Sequence, residues 1–199
     1  MKKVVLAICI GFFAAASIVS FAARTETALA HGIIRLHVRA NSNSEEDQSL
    51  KLKVRDRILS ESKAMAQNVS DTESAQNVII QNLDHLQAAA QNEIAKNGYD
   101  YPVNIRFGKS DFPTRIYGDM TLPAGAYEAL IVEIGSGKGE NWWCVMFPPL
   151  CFTEETFAGA TEDTEEILIQ NLGSDTYSMV KNDKIQIKFK IYELIQAIR

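Results

Sequence analysis

Residues 33–66 read IIRLHVRANSNSEEDQSLKLKVRDRILSESKAMA, and a change of period inside that stretch decides the fold. Over 33–39 the apolar residues alternate. Ile34, Leu36 and Val38 share one face, and Ile33, Arg35, His37 and Arg39 share the other, which predicts a strand. From residue 50 the period lengthens: Leu50, Val54, Ile58 and Leu59 recur at helical spacing, so one face of a helix is buried. Between the two lies Asn41-Ser42-Asn43-Ser44. Asn43 or Ser44 caps the helix, and Glu45, Glu46 and Asp47 suit its positive N-terminal end. A strand that turns at once into an amphipathic helix is the beginning of an α+β domain.

The following segments fit that start. Ser70-Asp71-Thr72-Glu73 spells a helix N-terminus. Ile79, Leu83, Leu86, Ala90 and Ile94 form the stripe of one second helix, with Gly98 as its stop. The period then shortens again. Val103, Ile105 and Phe107 alternate, as do residues 127–134, and turn residues separate them at Phe112-Pro113, Gly118-Asp119 and Pro123-Ala124-Gly125. Residues 135–141, GSGKGEN, read as a glycine-rich hairpin loop, and 141–147 as a further strand ending at Pro148. Residues 162–172 suit a short helix, 184–190 a strand, and the end a helical turn or two. The expected fold is α+β: a mainly antiparallel sheet with two N-terminal helices packed on one face and a short C-terminal helix.

The chain opens MKKVVLAICIGFFAAASIVSFAAR. Lys2 and Lys3 precede an apolar run from Val4 to Ala22, followed by two small-x-small sites, Ser20-Phe21-Ala22 and Ala28-Leu29-Ala30. That is the pattern of a secretory signal peptide. An uncleaved membrane anchor is the rival, since the run approaches the roughly 20 residues that span a bilayer. Residues 1–30 are read as a signal peptide and short linker with cleavage near 22 or 30, and 31–199 as a single exported domain. That domain carries 17 basic and 24 acidic residues. Such an acidic balance argues against nucleic acid, which calls for clustered Lys and Arg.

Beyond the leader two cysteines remain, in NWWCVMFPPLCF (141–152). In an exported chain, Cys144 and Cys151 read as one disulfide across the turn that Pro148-Pro149 imposes. Closing so short a ring would stabilise the fold by roughly 2.5 kcal/mol on the chain-entropy account. Trp142 shares its strand face with Cys144. Trp143, Val145 and Phe147 form the other face and read as the core side. Trp142 and the Pro148-Pro149-Leu150 turn are then either core or an exposed contact for a partner. Arg35, His37 and Arg39 form a second candidate surface, or else an internal network.

No catalytic pattern stands out. GSGKGEN departs from a phosphate loop, because Gly139 stands where Ser or Thr should follow Lys138. His31, His37 and His85 show no metal-ligand spacing. There is no GxSxG elbow and no SxxK. Catalytic, cofactor and metal residues are accordingly expected to be none, and no small-molecule substrate is expected.

Four blocks resemble one family in order along the exported region. They are IRLHVRANSNSEEDQSLKLKVRD (34–56), FPTRIYGDMTLPAGAYEAL (112–130), GSGKGENWWCVMFPPLCF (135–152) and IKFKIYELI (187–195). They resemble stage II sporulation protein R, with Asn43 standing where the family has Asp. The resemblance implies a signalling protein rather than an enzyme. It would be secreted from the forespore into the space between the forespore and mother-cell membranes. There it would activate a membrane-embedded aspartic protease, which removes the pro-sequence of a mother-cell sigma factor; transient membrane proximity through that receptor is also implied. A secreted hydrolase or envelope-modifying enzyme is the alternative. A perturbed cluster of ionisable groups in a pocket would favour it.

Overall fold

The expected strand and helix around residue 40 both form in the computed structural model, which describes residues 2–66, 69–150 and 162–181. Strand β1 spans Ile34–Arg39 and helix α2 spans Glu45–Met65. Ser44 is the cap: its backbone is extended and its side chain accepts a hydrogen bond from the Asp47 N–H. Leu50, Val54, Ile58 and Leu59 are buried, as their spacing predicts. Ahead of β1, helix α1 runs from Lys2 to Gly32.

The second helical stretch is two helices rather than one. Helix α3 (Thr72–Gln81) ends at Asn82, whose N–H bonds the Ile79 and Ile80 carbonyls, and helix α4 (Leu83–Lys96) starts there. The Asn82 amide also turns back to the Val78 carbonyl at 2.8 Å. A short polar side chain that bonds nearby backbone competes with helix propagation. Asp71 caps α3, and Gly98 follows α4 in the left-handed region at φ 85°.

Strands β2 (Val103–Phe112), β5 (Gly125–Ile134) and β6 (Asn141–Phe147) join β1 in a four-stranded sheet of order β2-β5-β1-β6. Strands β3 (Arg115–Tyr117) and β4 (Met120–Leu122) form a separate hairpin. The β2–β5 and β1–β6 pairs are antiparallel and β1–β5 is parallel. The fold is α+β with a mainly antiparallel sheet. Because β1 lies between β5 and β6, GSGKGEN is not a hairpin loop: it crosses the end of β1.

Sheet polarity also differs from the alternation-based reading. Both faces of β1 and of the second half of β6 are buried, so Cys144, Met146, Val145 and Phe147 are all core. Helix α2 packs on α4 and β1, and α4 packs on β2. The C-terminal part of α1 packs on β5 and on helices α5 (Glu162–Leu172) and α6 (Ser174–Val180). The helix expected over 162–172 is α5. The strand expected over 184–190 and the terminal helix lie outside the described residues.

Candidate functional site

Two of the sequence blocks meet where β1 ends. Asn41 and Ser42 both donate to Asp47 Oδ2, at 2.9 and 2.6 Å. The crossing loop closes over them. Asn41 Oδ1 accepts from the Ser136 N–H at 2.9 Å, Asn43 Oδ1 accepts from the Glu140 N–H at 2.7 Å, and the Gly139 N–H donates to the Ala40 carbonyl at 2.8 Å. Lys51, from α2, reaches the Glu140 carbonyl at 3.1 Å. Gly139 has to be glycine: a Cβ there would strike the Ser42 carbonyl oxygen and the Ala40 side chain. Asp47 is only 3 % exposed. Burial works to raise its pKa, but hydrogen bonds from Ser42, Asn41 and Tyr101 outweigh burial and hold the carboxyl below the ordinary range.

At the start of β1 lies an opposite charge. Arg35 is 0 % exposed. Its guanidinium lies 4.2 Å over the Phe112 ring, 5.0 Å from that of Tyr127 and 5.7 Å from that of Tyr117. Nη2 donates to the Tyr117 hydroxyl at 2.7 Å and Nε to the Cys144 carbonyl at 3.4 Å. Among the described residues it has no carboxylate, and Nη1 has no acceptor. Burial lowers its pKa from the usual arginine range. Ring faces carry negative charge density, so three of them partly replace a counter-ion. The cage also ties the β3–β4 hairpin, through Tyr117, to the sheet.

Midway along β1, His37 is 3 % exposed and stacks on Trp143 with ring centroids 5.8 Å apart. Nδ1 lies 3.0 Å from Ser110 Oγ and Nε2 lies 2.8 Å from Asn141 Oδ1. Arg39 Nε also approaches Nε2, at 3.4 Å, but the shorter contact to the Asn141 amide oxygen, which only accepts, places the proton on Nε2 and leaves Nδ1 to accept from the Ser110 hydroxyl. Burial is the main cause lowering the imidazole pKa; the neighbouring Arg39 acts the same way, and the Asn141 bond opposes it. The order hydroxyl, imidazole, amide is that of a nucleophile, a base and its orienting group. Rings of Trp143 and Phe112 flank the imidazole. With the ring this buried, the chain of bonds satisfies a core histidine.

The expected contact residues divide. Arg35 and His37 are interior, because a central strand covered on both faces buries even its polar side. Arg39 reaches partial exposure and pairs with Glu133 at 3.1 Å. Trp142 and Trp143 are both half-buried, each under an arginine: Arg55 lies 4.2 Å over Trp142, and Arg115 lies 4.6 Å over Trp143. In the turn, Pro148 and Leu150 are buried and Pro149 is partly exposed. The exposed-turn expectation therefore narrows to Pro149, since Leu150 packs in the core. Cys144 is 2 % exposed and is not a free thiol. Cys151 lies outside the described residues, so its pairing stays a proposal.

Among the described residues no group of three His, Cys, Asp or Glu side chains could hold a metal ion. Sequence reading did not find the Arg35 cage or the Ser110–His37–Asn141 chain. Their hydrogen-bond partners stand 73 to 109 positions from Arg35 or His37. The one available signal was aromatic enrichment in 112–127, where Phe112, Tyr117 and Tyr127 lie beside turns.

A family described as stage II sporulation protein R matches residues 30–157. The chain is 40 % identical over 133 residues to the stage II sporulation protein R of Bacillus subtilis (strain 168), an alignment covering 67 % of this chain and 59 % of that protein. The chain thus spans less than two thirds of its relative's length. No solved structure matches. The family match takes in the Asn41–Asp47 site, the Arg35 cage and β6 together and covers more than half of the chain, and on that ground the chain belongs to the stage II sporulation protein R family.

Proposed function

We propose that this chain is an exported sporulation signal. It passes from the forespore into the space between the two membranes and binds a membrane-embedded aspartic protease, whose activation releases a mother-cell sigma factor from its precursor. One observation carries this reading beyond family membership. The polar groups at the end of β1 are spent on each other: Asn41, Ser42, Asn43, Asp47 and Gly139 bond across the crossing loop and the start of α2, so this cluster is turned inward rather than aimed at a substrate. Among the described residues, the groups that could meet a partner include the two arginine-capped tryptophans at the start of β6, Arg39 and Pro149. Aromatic and arginine side chains concentrate binding energy at interfaces. Activation follows if the protease's active arrangement binds the chain better than its resting one does. A Cys144–Cys151 disulfide would hold the turn after β6 in place for that contact.

The test is co-expression with the candidate protease and the sigma precursor, scoring processing. Processing should require the chain, and should fall when residues 2–22 are deleted so that the domain stays in the cytoplasm. Undiminished processing by a variant shown to stay inside would sink the reading.

The Ser110–His37–Asn141 chain favours a second reading, a secreted hydrolase. Ser110→Ala separates the two: a ligand keeps its signalling when the melting temperature is unchanged, and a hydrolase does not.

A further inference from the structure

Helix α1 does not end where an apolar leader would. It continues as one helix to Gly32, and only Ile33 separates it from β1. Its last two turns are built into the domain. Leu29 is 1 % exposed and Thr25 is also buried, both on the part of the helix that meets β5, α5 and α6. The Thr25 hydroxyl lies 3.8 Å from Met179 Sδ on α6. Gly32 packs against the end of α5 so closely that a Cβ would collide with Leu172 and come within 2.9 Å of the Asn171 carbonyl oxygen. Thr72, which opens α3, places its hydroxyl 3.0 Å from the Gly32 carbonyl and 2.9 Å from Asn171 Oδ1. Asn171 Nδ2 in turn donates to the Ser70 carbonyl at 3.2 Å. The end of α1 therefore joins α3, α5 and α6 to the sheet.

The two small-x-small sites of the leader are not equivalent in this setting. A cut after Ala30 would remove Leu29 and Thr25, and with them two buried side chains of α1 and its contact with Met179 on α6. A cut after Ala22 would leave both in place. We infer that Thr25–Gly32 is a retained part of the folded domain, and that the bond cut when the leader is removed is Ala22–Ala23 rather than Ala30–His31. The cleavage half rests on the export reading; the retained-helix half does not.

The full chain is to be expressed in an endospore-forming or other Gram-positive host, and the intact mass and N-terminal sequence of the secreted form determined. A mature chain beginning at Ala23 is expected. A chain beginning at His31 overturns the inference. A chain that keeps Met1, in the medium or in the cytoplasm, overturns the cleavage assignment, and a cytoplasmic one also removes the export reading. Independently of export, Leu29→Asp in the full chain should lower the melting temperature by several degrees and speed proteolysis of the domain. Arg24→Asp, one turn earlier on an exposed position, should do neither. Equal melting of Leu29→Asp and the parent would show that the helix end is dispensable to the fold, whatever the mature N-terminus.

Discussion

Strand β1 begins beside a buried cation and ends beside a buried anion, and the two are accommodated in different ways. Asp47 collects donors: the Asn41 and Ser42 side chains from the chain just before it, and Tyr101. Arg35 collects ring faces, two oxygens and no carboxylate, and its Nη1 has no acceptor among the described residues. A carboxylate is compact, so a few local hydroxyls and amides satisfy it. A guanidinium is broad and flat and suits stacking. The difference has a consequence for assembly. The Asp47 site brings α2 and the crossing loop together through partners close in sequence on one side. The Arg35 site depends on three separate segments arriving at one place.

Removing each charge tests that contrast, and Arg35→Ala should do the most harm. It empties a large buried site and strands the Tyr117 hydroxyl, so a loss of about 3–5 kcal/mol is expected, read by denaturant unfolding. Arg35→Lys should recover little of it, because an ammonium does not stack on rings. Full recovery by lysine would show that charge, not the planar stack, matters. Gly139→Ala should cost about 2–3 kcal/mol, since the added methyl meets fixed backbone on the facing segment. Asp47→Ala should cost about 2 kcal/mol by leaving the Asn41 and Ser42 donors unpaired. If Asp47→Ala proves costlier than Arg35→Ala, the hydrogen-bonded site rather than the cage dominates β1.

A smaller effect separates the two sites by pH. A depressed imidazole pKa means that the unfolded chain takes up the proton first as pH falls. The His37 contribution is complete above the ordinary value of 6.5 and is lost as pH drops from there toward the folded value. Asp47 keeps its contribution until pH falls below the ordinary 3.8. His37→Gln should therefore flatten the stability profile just below 6.5 and leave the steeper acid limb unchanged. An unchanged slope near pH 6 would refute a neutral, buried His37. The smallest expected stability effect is that of Trp142→Ala, about 1 kcal/mol given its partial exposure. Lost sigma-precursor processing at a nearly unchanged melting temperature would mark Trp142 as a contact; matching losses of both would mark it as core.

Much of this was legible in local sequence. The change of period after Arg39, a cap at Asn43 or Ser44, the buried stripe of α2, the stop at Gly98 and the α+β class all follow from residues within a few positions of one another. Local patterns also overstated two things. Alternation in RLHVR marks which residues share a face and says nothing of whether that face is covered, so it left open whether Arg35 and His37 form a surface or an internal network. Adjacent strands joined by a glycine-rich loop suggest a hairpin, yet β5 and β6 flank β1. Only the tertiary structure decided those points, together with the aromatic cage, the Ser110–His37–Asn141 chain and the docking of Leu29. Each depends on which strand lies between which others, and sheet order is set by the burial and pairing of the whole chain at once. Helix caps and periods are decided within a turn or two of backbone, and apart from the break at Asn82 between α3 and α4 these the sequence determined by itself.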